Sequence, residues 1–345
     1  MRRWITTVVQ GESHDSVSKA REDVLFFSRK MDYKPLYIYR YYDDNESEYA
    51  LHSRIDGITA GVAANDLVVY QYPSYNGLDF DTRFISRMNA REIDVCLWIH
   101  DIEYLRGASD QIREVALLNQ AQSVIIHGSA MKKALLDAGV VVPLILKELF
   151  DYRCPQTLLL DPNTIFENKV TIAGNLHKSP FLKNWQWSIP IFAFGDGLSE
   201  NFSANVYYQG SYAPEELVYH LPRDTFGLAW DEDLAQGGAY GQYTRYNSPH
   251  KISLYIALGM PVIVWEESAI AQIVKRYNIG LTIRSLDEIE NLICHLSIAE
   301  KIQMKQNVTR ISKQLTNGLF TRKSLLSAEL IALESKEEGS HLDAD

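Results

Sequence analysis

Hydrophobic positions in this chain gather into short, unbroken, β-rich runs. In the first half these are "WITTVVQ" (4–10), "PLYIYRY" (35–41), "DLVVYQYP" (66–73), "DVCLWIH" (94–100), "SVIIHG" (123–128) and "VPLILKELF" (142–150). Runs of strand length that are apolar on both faces predict buried strands. Between them the apolar residues recur at helical spacing, as in "VSKAREDVLFFSRKM" (17–31) and "SAMKKALLDAG" (129–139). The second of these has Ser129 as its expected cap and Gly139 as its stop. Strands alternating with helices predict a parallel sheet covered on both sides.

The pattern breaks over 151–169, "DYRCPQTLLLDPNTIFENK", which is polar, proline-bearing and aperiodic and reads as an interdomain linker. A second series follows: "VTIAGN" (170–175), "IPIFAFGDG" (189–197), "NVYYQGSY" (205–212), "TFGLAWD" (225–231), "PVIVWE" (261–266) and "IGLTIRS" (279–285). Helix-like segments separate these strands too, notably 213–221 and 248–259, and the segment from 297 to 335 is helical in character. The fold class expected is α/β, with two Rossmann-like doubly wound domains that read as two copies of one architecture. Their expected limits are 1–155 and 156–315, followed by a helix over 316–335 and a disordered acidic tail over 336–345. Open α/β sheets bind ligands outside the carboxyl ends of their strands. Two such domains facing each other make a cleft, and the loops after the strands are where chemistry is sought.

Composition narrows the partners. The chain has 345 residues, 46% of them hydrophobic, with a net charge of −10 and a pI near 5.4. That balance argues against nucleic acid or an anionic membrane as the main partner. Cys96, Cys154 and Cys294 are far apart and odd in number, which fits neither a disulfide framework nor a zinc site. No signal peptide is visible, and no apolar run reaches the roughly 18 residues of a membrane span. A cytoplasmic protein is expected.

The stretch "TRYNSPHKISLYIALGMPVIVW" (244–265) poses a conflict. Ser248 suits a helix N-cap and Pro249 the first helical position. Yet His250 and Lys251 follow at once, placing a cation where the helix dipole is already positive. One reading is an exposed, solvated lysine. The other is an anion held jointly by the free amides, the dipole and the ammonium. The long glycine-rich loop before this helix and the buried strand after it favour the second. Neither the dinucleotide fingerprint nor the P-loop pattern is present.

Other strand-end loops supply further candidates. Lys178, in "AGNLHKS", could reach a phosphate oxygen or simply be solvated. Tyr212, in "QGSYAPEEL", could stack on a base or pack its own loop. Asp231 closes "FGLAWD" and could bind a sugar hydroxyl or cap the loop. After the first strand, "GESHD" offers Gly11, Ser13, His14 and Asp15. After the fourth, "HDIEYLRG" crowds His100, Asp101 and Glu103 onto one short loop. Such groups suit general-base work on a hydroxyl nucleophile, or could cap the next helix. His127 reads as a satisfied strand-end histidine. The D-x-D pairs at 79–81 and 231–233 are short and common, and a cationic helix end already supplies the charge a metal would. No metal is expected.

Taken in order, "SKAREDV" (18–24), "QYPSYNGLDFD" (71–81), "HDIEYLRG" (100–107), "AGNL" (173–176), "QGSYAPEEL" (209–217), "FGLAWD" (226–231) and "YNSPHKISLYIALGMPVIVW" (246–265) resemble one family. It is the GT-B bacterial glycosyltransferases that add the second sugar to serine-rich-repeat adhesins. More distantly, the chain resembles O-antigen galactofuranosyltransferases. The resemblance implies that the carboxyl-terminal domain binds the uridine diphosphate of a UDP-sugar through Asn247, Lys251, Lys178 and Tyr212, with Ser248, Pro249 and His250 in the same motif. It implies that the "GESHD" loop meets donor sugar and acceptor, and that the last helix crosses back to the first domain. Lys178 stands where the family often has an arginine, a point charge in place of a fork. The expected activity moves glucose or N-acetylglucosamine from UDP to a GlcNAc-modified adhesin, without metal or cofactor. Asp101, Glu103 or His14 would act as base, in a homotetramer or dimer. The alternatives are a galactofuranosyltransferase and a non-catalytic glycan-binding subunit.

Overall fold

The computed structural model of the chain describes residues 1–9, 16–41, 46–155, 160, 162, 165–197, 202–231 and 239–342. It divides into two compact units. One holds the first strand, Val17–Lys147 and the chain from Phe320 onward; the other is Glu148–Leu319.

The first unit is built from β1 (Arg3–Val9), α1 (Ser16–Ser28), β2 (Lys34–Tyr39), α2 (Glu48–Ile58), β3 (Leu67–Tyr72), α3 (Leu78–Asn89), β4 (Asp94–Ile99), α4 (Gln111–Leu118), β5 (Ser123–Ile126), α5 (Ser129–Asp137) and β6 (Leu144–Leu146). All strands are parallel, in the order β2-β1-β3-β4-β5-β6. β3 and β4 lie in the middle and every residue of both is buried, as continuous apolar runs require. β2 is an edge strand, and it alternates buried Leu36 and Ile38 with exposed Tyr37 and Tyr39. Ser129 begins α5 but does not cap it; Gly128 holds the cap position without a side-chain bond.

The second unit continues with β7 (Val170–Ala173), β8 (Ile191–Phe194), β9 (Val206–Tyr208), α6 (Pro214–His220), β10 (Phe226–Ala229), α7 (Ala239–Thr244), α8 (His250–Ala257), β11 (Val262–Trp265), α9 (Ala271–Tyr277), β12 (Gly280–Ile283), α10 (Ile289–His295) and α11 (Ile298–Thr316). Its sheet is also parallel, in the order β12-β11-β10-β7-β8-β9. Each of the twelve predicted strands is present; the first is displaced by one residue and the others are shorter than expected. The two sheets share an architecture without being copies. Numbered within its own unit, the first sheet runs 2-1-3-4-5-6 and the second 6-5-4-1-2-3.

The chain leaves the first unit after Lys147, not at 155/156. The reason is local. Glu148 pairs with Arg276 at 2.9 Å, the Phe150 carbonyl accepts from Ser253 at 2.7 Å, and Tyr152 packs on His250. The start of the expected linker is thereby fixed to the second unit. At the other end, α11 stops before Gly318 (φ 79°) and α12 (Leu319–Leu342) begins. Glu329 of α12 accepts from the Tyr33 hydroxyl at 3.0 Å and from Arg3 at 3.2 Å, so this helix belongs to the first unit. Lys336 pairs with Asp94 at 2.6 Å and donates to the Asn65 carbonyl at 2.8 Å. Anchored there, the helix runs on through Leu342, where a disordered tail from 336 was expected; extending a formed helix costs little. Among the described residues no helix is long and apolar enough to cross a membrane.

Candidate active site

In the second sheet the strand order reverses between β7 and β10. These two strands pair only at Val170–Phe226 and Thr171–Gly227, whereas β7 pairs with β8 over all of Val170–Ala173. Their carboxyl ends therefore separate, which is where open α/β sheets leave room for a ligand. Helix α8 starts beside this split. Pro249, not Ser248, is its N-cap: the Pro249 ψ of 135° is still extended, and His250 is the first helical residue. The cation therefore sits at the second helical position, within the first turn of free amides. The helix is gripped at its far end, where Lys305 donates to the Gly259 carbonyl at 2.7 Å and Ser312 to the Ala257 carbonyl at 2.8 Å. A buried cation at a helix carboxyl terminus complements the dipole.

Lys251 is not a solvated lysine. Its side chain is only 27% exposed, and its Nζ lies 3.4 Å from Oδ1 of Asp231, itself 24% exposed, just beyond β10. Both line a small, partly open pocket, together with Ala229, Thr244, Pro249, Val264, Ser268 and Ile270. The Asp231 carboxylate answers the cation placed on the positive helix end. At 3.4 Å the pair is looser than a well-formed charge-assisted bond of about 2.8 Å. Two residues before the helix cap, the buried Oδ1 of Asn247 has no hydrogen-bond partner among the described residues. Ser248 is buried and Pro249 lines the pocket, while His250 packs its ring on Tyr152 at 4.9 Å and Phe150 at 5.7 Å.

Lys178 and Tyr212 lie across the split, beyond the ends of β7 and β9. After β7 the chain turns at Gly174 (φ 131°) into a single 3-10 turn, Leu176–Lys178, capped by the Asn175 side chain accepting from the His177 amide at 3.0 Å. After β8 comes Gly195-Asp196-Gly197. A Cβ on Gly195 would lie 1.8 Å from the Gly174 carbonyl oxygen, and one on Gly197 would lie 2.4 Å from the His177 ring. The two loops pass in direct contact, and only glycine permits it. Sequence reasoning passed over this "GDG"; the signal was two glycines flanking an acid immediately after a strand. Tyr212 stacks on His220, with ring centroids 3.8 Å apart and planes 17° from parallel. Phe194 packs against the same ring, with centroids 6.4 Å apart and planes at 45°.

Gly11, Ser13, His14 and Asp15 lie outside the described residues. Asp101 and Glu103 come together around Arg106, whose Nη1 is 3.5 Å from Asp101 and 2.9 Å from Glu103. The Tyr75 hydroxyl donates to Asp101 at 3.1 Å. Tyr75 itself sits at φ 61°, an uncommon backbone region for a bulky residue, with Arg21 and Arg40 each within 6 Å of its ring, at 5.2 and 5.7 Å. The loop is fixed from below by buried Glu114, which accepts from the Glu103 and Tyr104 amides at 2.9 and 2.7 Å. Burial raises the proton affinity of Glu103, partly offset by Arg106. Neither carboxylate caps α4; Asp110 does, accepting from the Arg113 amide at 2.8 Å. His100 is buried, with Nε2 2.7 Å from Oε1 of Gln71. His127 is bonded through Nε2 to the Ile99 carbonyl at 3.0 Å, and burial with Lys147 nearby keeps it neutral.

The first D-x-D pair does not converge. Asp81 is buried, takes hydrogen bonds from Tyr70 and from the amide and hydroxyl of Ser74, and is pushed up to about 6 by burial. Asp79 is exposed and pairs with Arg113. Asp233 of the second pair lies outside the described residues.

Comparison with known proteins decides the family. Residues 2–149 match the family model described as "Glucosyltransferase 3-like, N-terminal domain" and residues 170–328 the corresponding C-terminal domain. Glucosyltransferase 3 of Streptococcus gordonii is 31% identical over 342 residues, covering 96% of this chain and 100% of that protein. The chain belongs to the glucosyltransferase 3-like family. It is thus a glycosyltransferase-family protein of GT-B fold. The chain is also similar to Beta-1,6-galactofuranosyltransferase WbbI of Escherichia coli K12, 28% identical over 278 residues, 78% of this chain and 81% of that one. Among solved structures, Anabaena HepE in complex with UDP and glucose is similar in fold at TM-score 0.56 and 14% identity, covering 99% of this chain and 100% of the other.

Proposed function

We propose that this chain is a UDP-sugar-dependent hexosyltransferase that moves glucose or N-acetylglucosamine to a GlcNAc-modified serine-rich-repeat adhesin. The observation that carries the reading is Lys251, a cation in the first turn of α8, lining a pocket at the strand ends and only loosely held by Asp231. A nucleoside diphosphate fits that chemistry, because free amides, dipole and ammonium all favour an anion. Lys178, Tyr212 and the Asn247–His250 segment complete the donor site, with Asp231 for a sugar hydroxyl.

In the reaction the anomeric carbon–oxygen bond to the diphosphate breaks and a new bond forms to the acceptor hydroxyl oxygen. The negative charge left on UDP is stabilised by Lys251, Lys178 and the α8 amides, already in place before reaction. The acceptor proton goes to a base, for which Asp101, Glu103 and His14 stand as candidates. Lys251 supplies the charge for which other transferases use a metal, so the reaction runs in the presence of a chelator. The active form is a homo-oligomer, a dimer or tetramer. The test is mass spectrometry of a GlcNAc-bearing adhesin peptide incubated with a panel of UDP-sugars. Addition of one hexose in the presence of EDTA supports the reading, and an unmodified peptide with every donor contradicts it.

A second reading, transfer of galactofuranose during surface polysaccharide synthesis, is favoured by the likeness to WbbI. It expects UDP-galactofuranose to be consumed only with a glycan acceptor that carries no peptide.

A further inference from the structure

Tyr255 lies one turn beyond Lys251 on the same face of α8, and it is fully buried. Its hydroxyl accepts from the Ala173 amide at 2.7 Å and donates to the Leu228 carbonyl at 3.3 Å. Ala173 is the last residue of β7, and Leu228 belongs to β10. Those strands stop pairing one residue earlier on β10, at Gly227. The hydroxyl therefore stands where the ladder ends, satisfying one amide and one carbonyl that separated strands leave open. Burial pushes it far above the ordinary phenol range, so it remains a donor at every working pH. The sheet makes room for the ring. A Cβ on Gly227 would fall 2.2 Å from Cγ of Tyr255, so no larger residue fits there.

We propose that Tyr255 is a positioning residue for the diphosphate site: its hydroxyl holds the ends of β7 and β10 apart and locks α8 to both, setting where Lys251 and the first amides of the helix meet the ligand. This rests on the diphosphate reading of the preceding section. Hydrophobic packing alone would let a short helix settle over a range of axial positions. Two hydrogen bonds to two different strands leave one, and small displacements of a binding group are costly. The aspartate partner of Lys251 lies two residues past the end of β10, so the same wedge sets the spacing of that pair.

The test is a double-mutant cycle on the full-length protein, read by calorimetric titration with UDP, with circular dichroism and thermal melting as the check on folding. Tyr255→Phe keeps the ring and removes only the wedge. It is expected to fold, with a native spectrum, and to bind UDP about tenfold more weakly. Because it acts partly through Lys251, the double variant with Lys251→Ala is expected to lose less affinity than the two single losses combined. Some loss of melting temperature is expected in either case; a merely structural role would leave the two losses additive, which overturns the proposal. Wild-type UDP affinity in Tyr255→Phe, or failure of that variant to fold, overturns it too. A wild-type protein that binds no UDP sinks the functional reading itself. Binding that is lost in Lys251→Ala and unchanged in Tyr255→Phe sinks only the role of Tyr255.

Discussion

The two sheets solve one geometric problem in different ways. In each, the strands that flank the reversal of order pair near their amino ends and then part. In the first unit β1 and β3 pair from Arg3–Leu67 to Ile5–Val69. Beyond that, side chains of the strands themselves take over: Thr6 Oγ1 accepts from the Gln71 amide at 2.8 Å, and the Gln71 side chain donates to the Thr6 carbonyl at 2.6 Å. In the second unit the bridge comes from outside the sheet, from Tyr255 on the helix that carries Lys251. The first reversal is stitched shut by its own strands, and the second is held open by the element that bears the charge. The same contrast appears in the candidate residues. Asp101 and Glu103 are already paired around Arg106, whereas the Lys251–Asp231 pair is loose beside a pocket. A loosely paired cation on a helix end and a pre-paired carboxylate cluster are different instruments, and they respond differently to substitution.

The largest effect is expected at the carboxylate cluster. Burial lifts Glu103 toward the working pH of a general base, while Asp101 is held by both Tyr75 and Arg106. Glu103→Gln is therefore expected to lower kcat by about a hundredfold with the donor KM unchanged, and Asp101→Asn to cost less. Steady-state kinetics on both variants checks this; equal and small losses would remove the cluster from the chemistry and leave His14 as the base.

Next in size is the anion site. Lys251→Ala is expected to lower kcat/KM at least tenfold, about 1.4 kcal/mol. Wild-type kinetics in that variant would place the ligand elsewhere. Asp231→Asn sharpens the same comparison in the opposite direction. Removing the carboxylate that competes for Lys251 is expected to tighten UDP binding about threefold, the size of a partly exposed ion pair. Weaker UDP binding in a titration would make Asp231 a contact of the nucleotide itself and not a competitor for Lys251.

The last expected effect is on stability and leaves the chemistry untouched. Asp81 has a raised proton affinity in the folded unit, about 6 against an ordinary 3.8. The folded state then binds the extra proton, so the contribution is present below about pH 4 and is lost as pH rises through about 6. Relative to Asp81→Asn, wild-type stability is expected to fall over that window by at most roughly 3 kcal/mol. A difference in melting temperature that does not change with pH would mean that Asp81 titrates as it does in the unfolded chain.

The strands were legible because each is a buried apolar run bounded by polar residues, and "LVVYQY" or "DVCLWI" can be little else. The start of α8 was legible to within one residue; a proline that still holds an extended ψ cannot be told by composition from one already helical. Strand order was not legible. The two series look alike in sequence, and pairing across the reversal depends on contacts such as Tyr255 with Gly227, twenty-eight positions apart by the numbering. The partner of Lys251 was hidden for the same reason. Lys251 and Asp231 were each singled out for strand-end position, but only the fold brings the two charges within 3.4 Å. The helical reading of the last segment missed where it ends, because Lys336 finds Asp94 and Asn65 far back in the chain.

The central claim is that a nucleoside diphosphate docks on the opening turn of α8. A crystal structure with UDP bound tests it most directly. The account expects phosphate oxygens within about 2.7–3.2 Å of the first amides of α8 and of Lys251 Nζ, with the bond between Lys251 and Asp231 opened. Nucleotide bound elsewhere, with Lys251 still resting on Asp231, would contradict it.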